Sequence, residues 1–331
     1  MITQYTVIER ITMARNAIQF QKGLSEPAFQ ERYGTEEQCF EALEALRWPK
    51  GFVCPVCGHD KGHQLTHRRL KQCAWQPCRA QTSITAGTVF HSTKLPLTTW
   101  FRAMYHLTQS KNGVSAMELM RRLGVSYNTA WLMKQKLMQT MKERESSTKL
   151  TDRVEIDDAY LGGERAKKPG KAGRGAEGKT PFVAAVQTDH DGKPQQMVLQ
   201  VVDGFTSAEI RAFAAAKLRP EADVFSDGLA CFAAVIDNGC SHTVGIYGKG
   251  RKAAEAPAFK WVNTVLGNIK SALVGTYRQI SPKHRPRYLA EFQYRFNRRN
   301  DLANMLDRLT YIALRTPPLP YRLAILAEFH A

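Results

Sequence analysis

Four residues of this chain have the types and spacing to handle a phosphate: Asp157, Asp227, Asn263 and Lys270. Asp157 lies in the alternating run from Arg153 to Tyr160, which reads as a strand, and Asp227 ends the short apolar run that begins at Val224. Asn263 and Lys270 are seven residues apart in a helical segment, about two turns, and so share one face. Two acids on strand ends, with an oxygen ligand and a cation on a helix, can hold two metal ions and a phosphate. The third ligand is an amide where a carboxylate is expected. An amide oxygen is a hard donor without charge, so the second ion loses one unit of compensation. Asp158 and Glu155 flank Asp157 and carry the charge that could restore it, but alternation is expected to turn both to the opposite face.

A second constellation is Cys54, Cys57, Cys73 and Cys78, spaced C-x2-C-x15-C-x4-C. Thiolates paired on tight turns bind Zn²⁺ tetrahedrally, and Pro55 and Gly58 suit such a turn. The wider second pair predicts a looser turn. His59, His63 and His67 lie near enough in sequence to replace a cysteine. A closed four-ligand site implies a structural zinc ribbon rather than chemistry. An odd total of seven cysteines, four of them in one group, points to a reducing cytoplasm and metal binding instead of disulfides.

The elements that must position these residues follow from periodicity. Residues 24–47 read as an amphipathic helical lead-in. Leu95 to Leu107 reads as a helix with Pro96 near its start. Ser115 to Glu118 has the sequence of a capping box opening a short helix that Gly124 can close. Ser126 can cap a longer helix from Tyr127 to about Met141. A short helix, a tight turn and a longer basic helix form the helix-turn-helix pattern. In that docking Tyr127, Asn128 and Thr129 face base edges, with Lys134 and Lys136 along the helix. Met117, Leu119, Leu123, Trp131, Leu132 and Leu137 read as core.

Beyond Thr151 the pattern turns to strands at Arg153–Leu161, Phe182–Thr188 and Gln196–Val202. A capped helix from Ser207 to Lys217, a strand Asp223–Ser226, a helix Leu229–Ile236, a strand Thr243–Tyr247 and a long helix Ala258–Leu273 follow. The order βββαβαβα predicts an α/β fold: a mixed sheet flanked by helices, of ribonuclease-H-like topology. The expected organisation is a helical lead-in over 1–50, the zinc ribbon over 51–94, the helix-turn-helix-like region over 95–150, the catalytic domain over 151–300 and a helical tail over 301–331. Gly162–Lys179 is a glycine-rich basic loop, as suited to clamping DNA as to simple solvation.

Net charge is +17, and it is clustered: residues 245–300 carry 12 basic and 2 acidic side chains. Such an excess selects a polyanion, with nucleic acid foremost. Arg285, Arg287, Arg298 and Arg299 read as contacts to DNA phosphates, while the aromatics between them recur at helical spacing and read as core. No apolar run approaches the roughly 20 residues that span a bilayer, and no N-terminal segment has signal-peptide character.

Taken in order, several stretches resemble one family. They are Leu46 to Gly58, Thr85 to Leu97, Glu155 to Gly163, Ser226 to Gly228, Trp261 to Lys270, Gly275 to Tyr277 and His284 to Asn297. Over residues 35–300 the chain resembles bacterial insertion-sequence transposases of the DDE class, in the Merlin-like branch with a zinc ribbon ahead of the catalytic domain. The resemblance implies that Asp157 and Asp227 are the first two catalytic carboxylates. Counting back from Gly275-Thr-Tyr277 sets Lys270 on the family's lysine and Asn263 on its Glu position. It further implies Mg²⁺ or Mn²⁺ at the catalytic site, with Asp157, Asp227 and Asn263 as ligands, and Lys270 holding a DNA phosphate. The implied partners are double-stranded DNA, as transposon terminal inverted repeats and target, and further copies of the chain in a complex that joins two ends. The implied setting is a bacterial cytoplasm, at the nucleoid. The competing expectations are a DNA-binding regulator that has lost activity, favoured by Asn263, and a ribonuclease-H-like nuclease, which needs no sequence-reading module.

Overall fold

The computed structural model of the protein describes residues 21–65, 68–162, 179–245 and 259–327. It opens with two short helices, α1 (Glu26–Tyr33) and α2 (Glu36–Arg47), each started by a hydroxyl cap. The Thr35 hydroxyl accepts the Gln38 N–H and the Gln38 side chain accepts the Thr35 N–H, a reciprocal box that satisfies two donors at the helix start. Three short antiparallel strands follow: β1 (Gly62–Leu65), β2 (Leu70–Cys73) and β3 (Gln81–Ser83). Helices α3 (Leu97–Gln109), α4 (Ala116–Leu123) and α5 (Tyr127–Glu145) come next. Gly124 closes α4 at φ 66°, a left-handed position that favours glycine. Ser115 caps α4 through the Glu118 N–H, but the Glu118 carboxylate pairs forward with Arg122 at 2.6 Å instead of returning to the cap.

The second half is built on a five-stranded sheet. Its strands are β4 (Arg153–Leu161), β5 (Thr180–Thr188), β6 (Pro194–Val201), β7 (Asp223–Ser226) and β8 (Ser241–Val244), in spatial order β6-β5-β4-β7-β8. The β4–β5 and β5–β6 pairs are antiparallel and the β4–β7 and β7–β8 pairs parallel, so the sheet is mixed. Helix α6 (Ser207–Lys217) and a 3₁₀ helix (Ala230–Asn238) cover one face, where Val154 and Ile156 meet Ile210, Phe213 and Phe232. Helices α7 (Lys260–Ala272) and α8 (Arg285–Asn297) cover the other, where Ala159 and Leu161 meet Val262, Val265 and Leu289. Helix α8 also serves the open edge of β6: Asn297 accepts the Met197 N–H at 2.7 Å and Gln293 the Leu199 N–H at 3.0 Å. Edge donors that would otherwise pair with another chain are thereby occupied.

Two short helices, α9 (Met305–Ala313) and α10 (Tyr321–Leu326), end the described chain. The three stretches read in sequence as lead-in, helix-turn-helix-like region and tail share one apolar core. Phe29 and Leu43 pack with Phe101, Met104, Leu107 and Leu137, and with Met305, Leu306 and Leu309 from α9. The tail is therefore a structural part of the N-terminal helical body. Met117, expected in the core, is 46% exposed.

Local differences from the sequence reading have local causes. The expected helix at Leu229–Ile236 is a 3₁₀ helix ended by Gly239 at φ 81°. The long helix starts at Lys260 and ends in a π turn, Leu273–Tyr277, where Tyr277 turns inward to hydrogen-bond Glu291. The last strand begins earlier, at Ser241, and its expected end at Tyr247 lies outside the described residues, as do positions 163–178 of the basic loop and His67. Among the described residues no helix is long and apolar enough to cross a membrane.

Candidate metal and phosphate site

The parallel pairing of β4 with β7 sets the register of the two acids. Arg153 faces Asp223 and Glu155 faces Phe225, so the same offset brings Asp157 level with Asp227. β7 ends at Ser226, and beyond Glu155 the β7 side of β4 has no ladder partner among the described residues. Asp227 sits in the turn that leaves β7: its Oδ1 accepts the Leu229 N–H at 3.2 Å, and Gly228 takes φ 92° to let the chain swing away. The carboxylates of Asp157, Asp158 and Asp227 each place an oxygen within 4.8 Å of the others.

Asp158 enters this group against expectation. Alternation does send its side chain to the face opposite Asp157, but the missing neighbour strand leaves room for its carboxylate to reach round the edge. Its backbone N–H donates to Asp157 Oδ1 at 2.8 Å. Burial of the Asp157 carboxyl raises its pKa to about 7, helped by the negative charges of Asp227 and Asp158 and opposed by that N–H and by the positive charge of Lys270. Clustered hard oxygen donors that repel one another are the donor set that a divalent cation such as Mg²⁺ or Mn²⁺ satisfies.

Glu155 corrects the sequence reading in the other direction. Two residues from Asp157, it shares that residue's face. It does not join the acid group. Its carboxylate instead accepts the backbone N–H groups of Trp261 at 2.8 Å and Val262 at 2.9 Å. Helix α7 has no side-chain cap of its own, and its first donors are held by a strand residue 106 and 107 positions earlier. Asn263 follows Val262 directly and is half-buried; Lys270 lies two turns on, exposed, and near enough for its charge to act on Asp157. The apolar stripe Val262, Val265, Leu266 and Ile269 packs α7 against the sheet face that Asp157 shares.

The four cysteines come together as a second group, every Sγ within 4.8 Å of the rest, with Cys57 to Cys73 at 3.6 Å and Cys54 to Cys78 at 3.8 Å. Gly58, at φ 75°, donates its N–H to the Cys54 carbonyl and closes the first turn. The Cys57 N–H points at the Cys54 sulfur and pulls its pKa down to about 7, toward the thiolate a metal requires. The wider second turn closes with the Cys78 and Arg79 N–H groups both on the Trp75 carbonyl. Four sulfurs with no histidine among them fit Zn²⁺.

The cationic residues assigned to DNA fare differently. Lys134 is 1% exposed: its Nζ donates to the Val114 carbonyl at 2.6 Å, lies 3.4 Å from Glu291 and sits 4.0 Å over the Tyr277 ring. Lys136 turns inward to the Val89 carbonyl. Arg285 bonds the Thr180 hydroxyl, and Arg287, 1% exposed, bonds Gln139, Gln135 and the Ala324 carbonyl. Arg298 pairs with Glu145 at 2.5 Å, and Arg299 donates to the Pro194 and Gln195 carbonyls. The physical reason is shared. Helices α5 and α8 pack together between the helical body and the sheet, and these long side chains satisfy polar groups on both sides of that seam. Lys134, Arg285 and Arg287 are buried, away from any phosphate at the surface, whereas Lys136, Arg298 and Arg299 are half-buried. Of the three residues expected at base edges, Tyr127 is 45% exposed, Asn128 is exposed and Thr129 is half-buried.

Sequence reasoning missed the seam itself. Glu291, fully buried, receives the Tyr277 hydroxyl at 2.9 Å and lies 3.7 Å from Arg295, besides Lys134. A lone Glu in a helix carries no signal for this, because Tyr277 and Lys134 come from other places in the chain and only Arg295 lies on its own helix.

Comparison with known proteins finds transposase domains in both halves of the chain. Residues 149–297 match the ISXO2-like transposase domain and residues 34–81 the transposase zinc-ribbon domain. The chain is also 26% identical over 212 residues to a protein of Halobacterium salinarum (strain ATCC 700922 / JCM 11081 / NRC-1) described as an uncharacterized protein in transposable element ISH50. That similarity covers 60% of this chain and 69% of the relative. The chain thus carries a transposase zinc-ribbon domain ahead of an ISXO2-like transposase domain, and the mixed sheet of the second gathers three acids where the β4–β7 pairing stops.

Proposed function

We propose that the protein binds the ends of its mobile element, cuts the 3′ ends and joins them to target DNA. The observation that carries this reading is the level placement of Asp157 and Asp227 on neighbouring parallel strands, their carboxylates gathered with Asp158. In this reading the sheet is a ribonuclease-H-like core, and α4 and α5 are a helix-turn-helix-like pair that offers Tyr127, Asn128 and Thr129 to the bases. The functional divisions are the ribbon over 51–94, the reading helices over 95–150 and the catalytic domain over 151–300.

Asp157, Asp227 and Asn263 would hold Mg²⁺ or Mn²⁺, and Asp158 is a further candidate for the charge that Asn263 does not supply. Bound there, the metal supplies activation of the attacking oxygen and stabilisation of the leaving one. Lys270 holds a phosphate oxygen as a point charge. In the first step water attacks the phosphorus, the bond to the 3′ oxygen breaks and a 3′-hydroxyl is freed. In the second that hydroxyl attacks a target phosphodiester and displaces its 3′ oxygen. Glu155 positions α7, and with it Asn263 and Lys270, against the strand that carries Asp157.

The active assembly holds two ends and therefore more than one copy of the chain, at the bacterial nucleoid. The test is incubation with a terminal-inverted-repeat duplex and Mg²⁺ or Mn²⁺, scored for 3′-end cleavage and joining. Asp157→Ala or Asp227→Ala should abolish both while end binding survives. Full activity in either variant overturns the reading. Asn263 favours a second reading, a regulator that binds without cutting; the same assay separates the two, since a regulator retains end binding and yields no 3′-hydroxyl product.

A further inference from the structure

With the arginines of α8 engaged inside the fold, the charge of +17 leaves its exposed cations in other places. One is a cleft of roughly 1040 Å³ between the helical body and the sheet, lined by the C-terminal end of α5, the segment leading into β4, the C-terminal end of α8, and α9. Arg144, Lys149, Arg219 and Arg315 lie exposed along it, and none of the four forms an ion pair with another described residue. Lys149 donates to the Ala215 carbonyl, which leaves its charge unbalanced. Arg298 and Arg308, also in the wall, are neutralised by Glu145 and Asp301. Tyr311 is 44% exposed in the same wall, with the Arg315 guanidinium stacked 3.5 Å from its ring centroid.

We propose that this cleft binds the backbone of duplex DNA, at a site distinct from the one where the acids act. The separation follows from topology. Lys149 precedes β4 and Arg219 precedes β7, and Leu150 and Leu218 beside them form a parallel bridge. Asp157 stands at the middle of β4 and Asp227 just past the far end of β7. The strand from Arg153 to Asp157 alone spans on the order of 13 Å, and Lys149 lies beyond the turn at Asp152, where φ is 55°. A phosphate held by Lys149 and Arg219 is therefore not the phosphate at Asp157. Guanidinium groups spread along an open cleft, with a stacked aromatic at its wall, suit a regularly spaced polyanion, and such contacts position a duplex without reading its sequence.

The inference rests on the protein handling DNA, but not on the cleavage reaction. It is tested with the full-length protein and a 40-base-pair duplex, by fluorescence anisotropy over a range of salt concentrations with Ca²⁺ as the divalent ion. Arg144→Ala, Lys149→Ala and Arg219→Ala combined should flatten the dependence of log affinity on log salt by about 2 to 3, at about 0.9 for each phosphate no longer neutralised. Arg144→Lys with Arg219→Lys should keep the slope, because lysine also neutralises phosphate. A control, Arg69→Ala, Lys193→Ala and Arg211→Ala, removes the same charge elsewhere and should leave the slope as it is. An unchanged slope in the first variant, or an equal fall in the control, overturns the proposal. Mn²⁺ binding to the aspartates should be the same in all three. Failure of the cleavage reading would appear as missing 3′-end products with the salt slopes unaltered.

Discussion

The carboxylate of Glu155 accepts the backbone N–H of Val262 at 2.9 Å, and so a residue of β4 does for α7 what a cap normally does from inside the helix. Two donors at the helix start are satisfied by the strand that carries Asp157, which fixes the height of α7 on the sheet. Glu155→Ala removes that acceptor. We expect a loss of about 1–3 kcal/mol in urea unfolding, the penalty of unsatisfied donors. Cleavage should fall while Mn²⁺ binding to the aspartates, followed by calorimetry, persists. A variant as stable and active as the parent would show that packing alone seats the helix.

The Asp157 carboxyl gives a pH prediction with a definite sign. Its pKa is about 7 in the fold against an ordinary 3.8, so between those values the folded protein keeps a proton that the unfolded chain releases. Without divalent ions, stability should fall as pH rises from about 4 to 7 and then level off. Asp157→Asn should lessen that fall and melt higher than the parent at pH 8 in EDTA. Melting curves across pH check both statements, and parallel profiles for parent and variant would refute them.

Asn263→Glu should keep or raise Mg²⁺-dependent activity, since it returns the missing charge to the third ligand position. The readout is end cleavage at matched DNA occupancy. A variant that folds and binds DNA but does not cut would remove Asn263 from the ligand set.

The ribbon has little apolar core beyond Phe52, Cys54 and Cys73, with Trp48 against it, which is too small to fold unaided. Chelation, or Cys54→Ser, should open residues 51–83 to protease while the sheet stays protected. One zinc per chain by atomic absorption is expected in the parent protein, and a chelated ribbon that stays resistant would contradict a structural metal.

Lys134→Ala should destabilise the protein by about 3 kcal/mol, the low end for a broken buried pair, because Glu291 is left with only Arg295, at 3.7 Å, to balance it. The salt slope of DNA binding should not change. A lowered slope in a folded variant would return Lys134 to the DNA surface.

These cases show where the sequence was legible. The two aspartates could be placed because each is tied to a strand, Asp157 at mid-β4 rather than at the expected end and Asp227 just past β7, and parallel pairing brings them level. The ribbon could be found because ligand spacing is local. The inward turn of several basic residues was not legible, for a different reason. Lys134, Arg287 and Arg298 owe their positions to groups far along the chain, and nothing near them distinguishes a solvated cation from a buried one. Glu155 is the same problem reversed: an acid beside the site whose partner is a helix start 107 residues later. The three terminal and helical stretches appeared separate because their common core is assembled across the whole length of the chain.

That shared core constrains how the protein is made. Helix α9 packs among α2, α3 and α5, and Leu306 and Leu309 stand beside Leu43 and Met104. The body holding α4 and α5 therefore cannot close while the ribosome is still translating the five-stranded sheet. A nascent chain stopped before residue 305 would leave that apolar face open, a substrate for chaperones and proteases rather than a free, folded helical fragment.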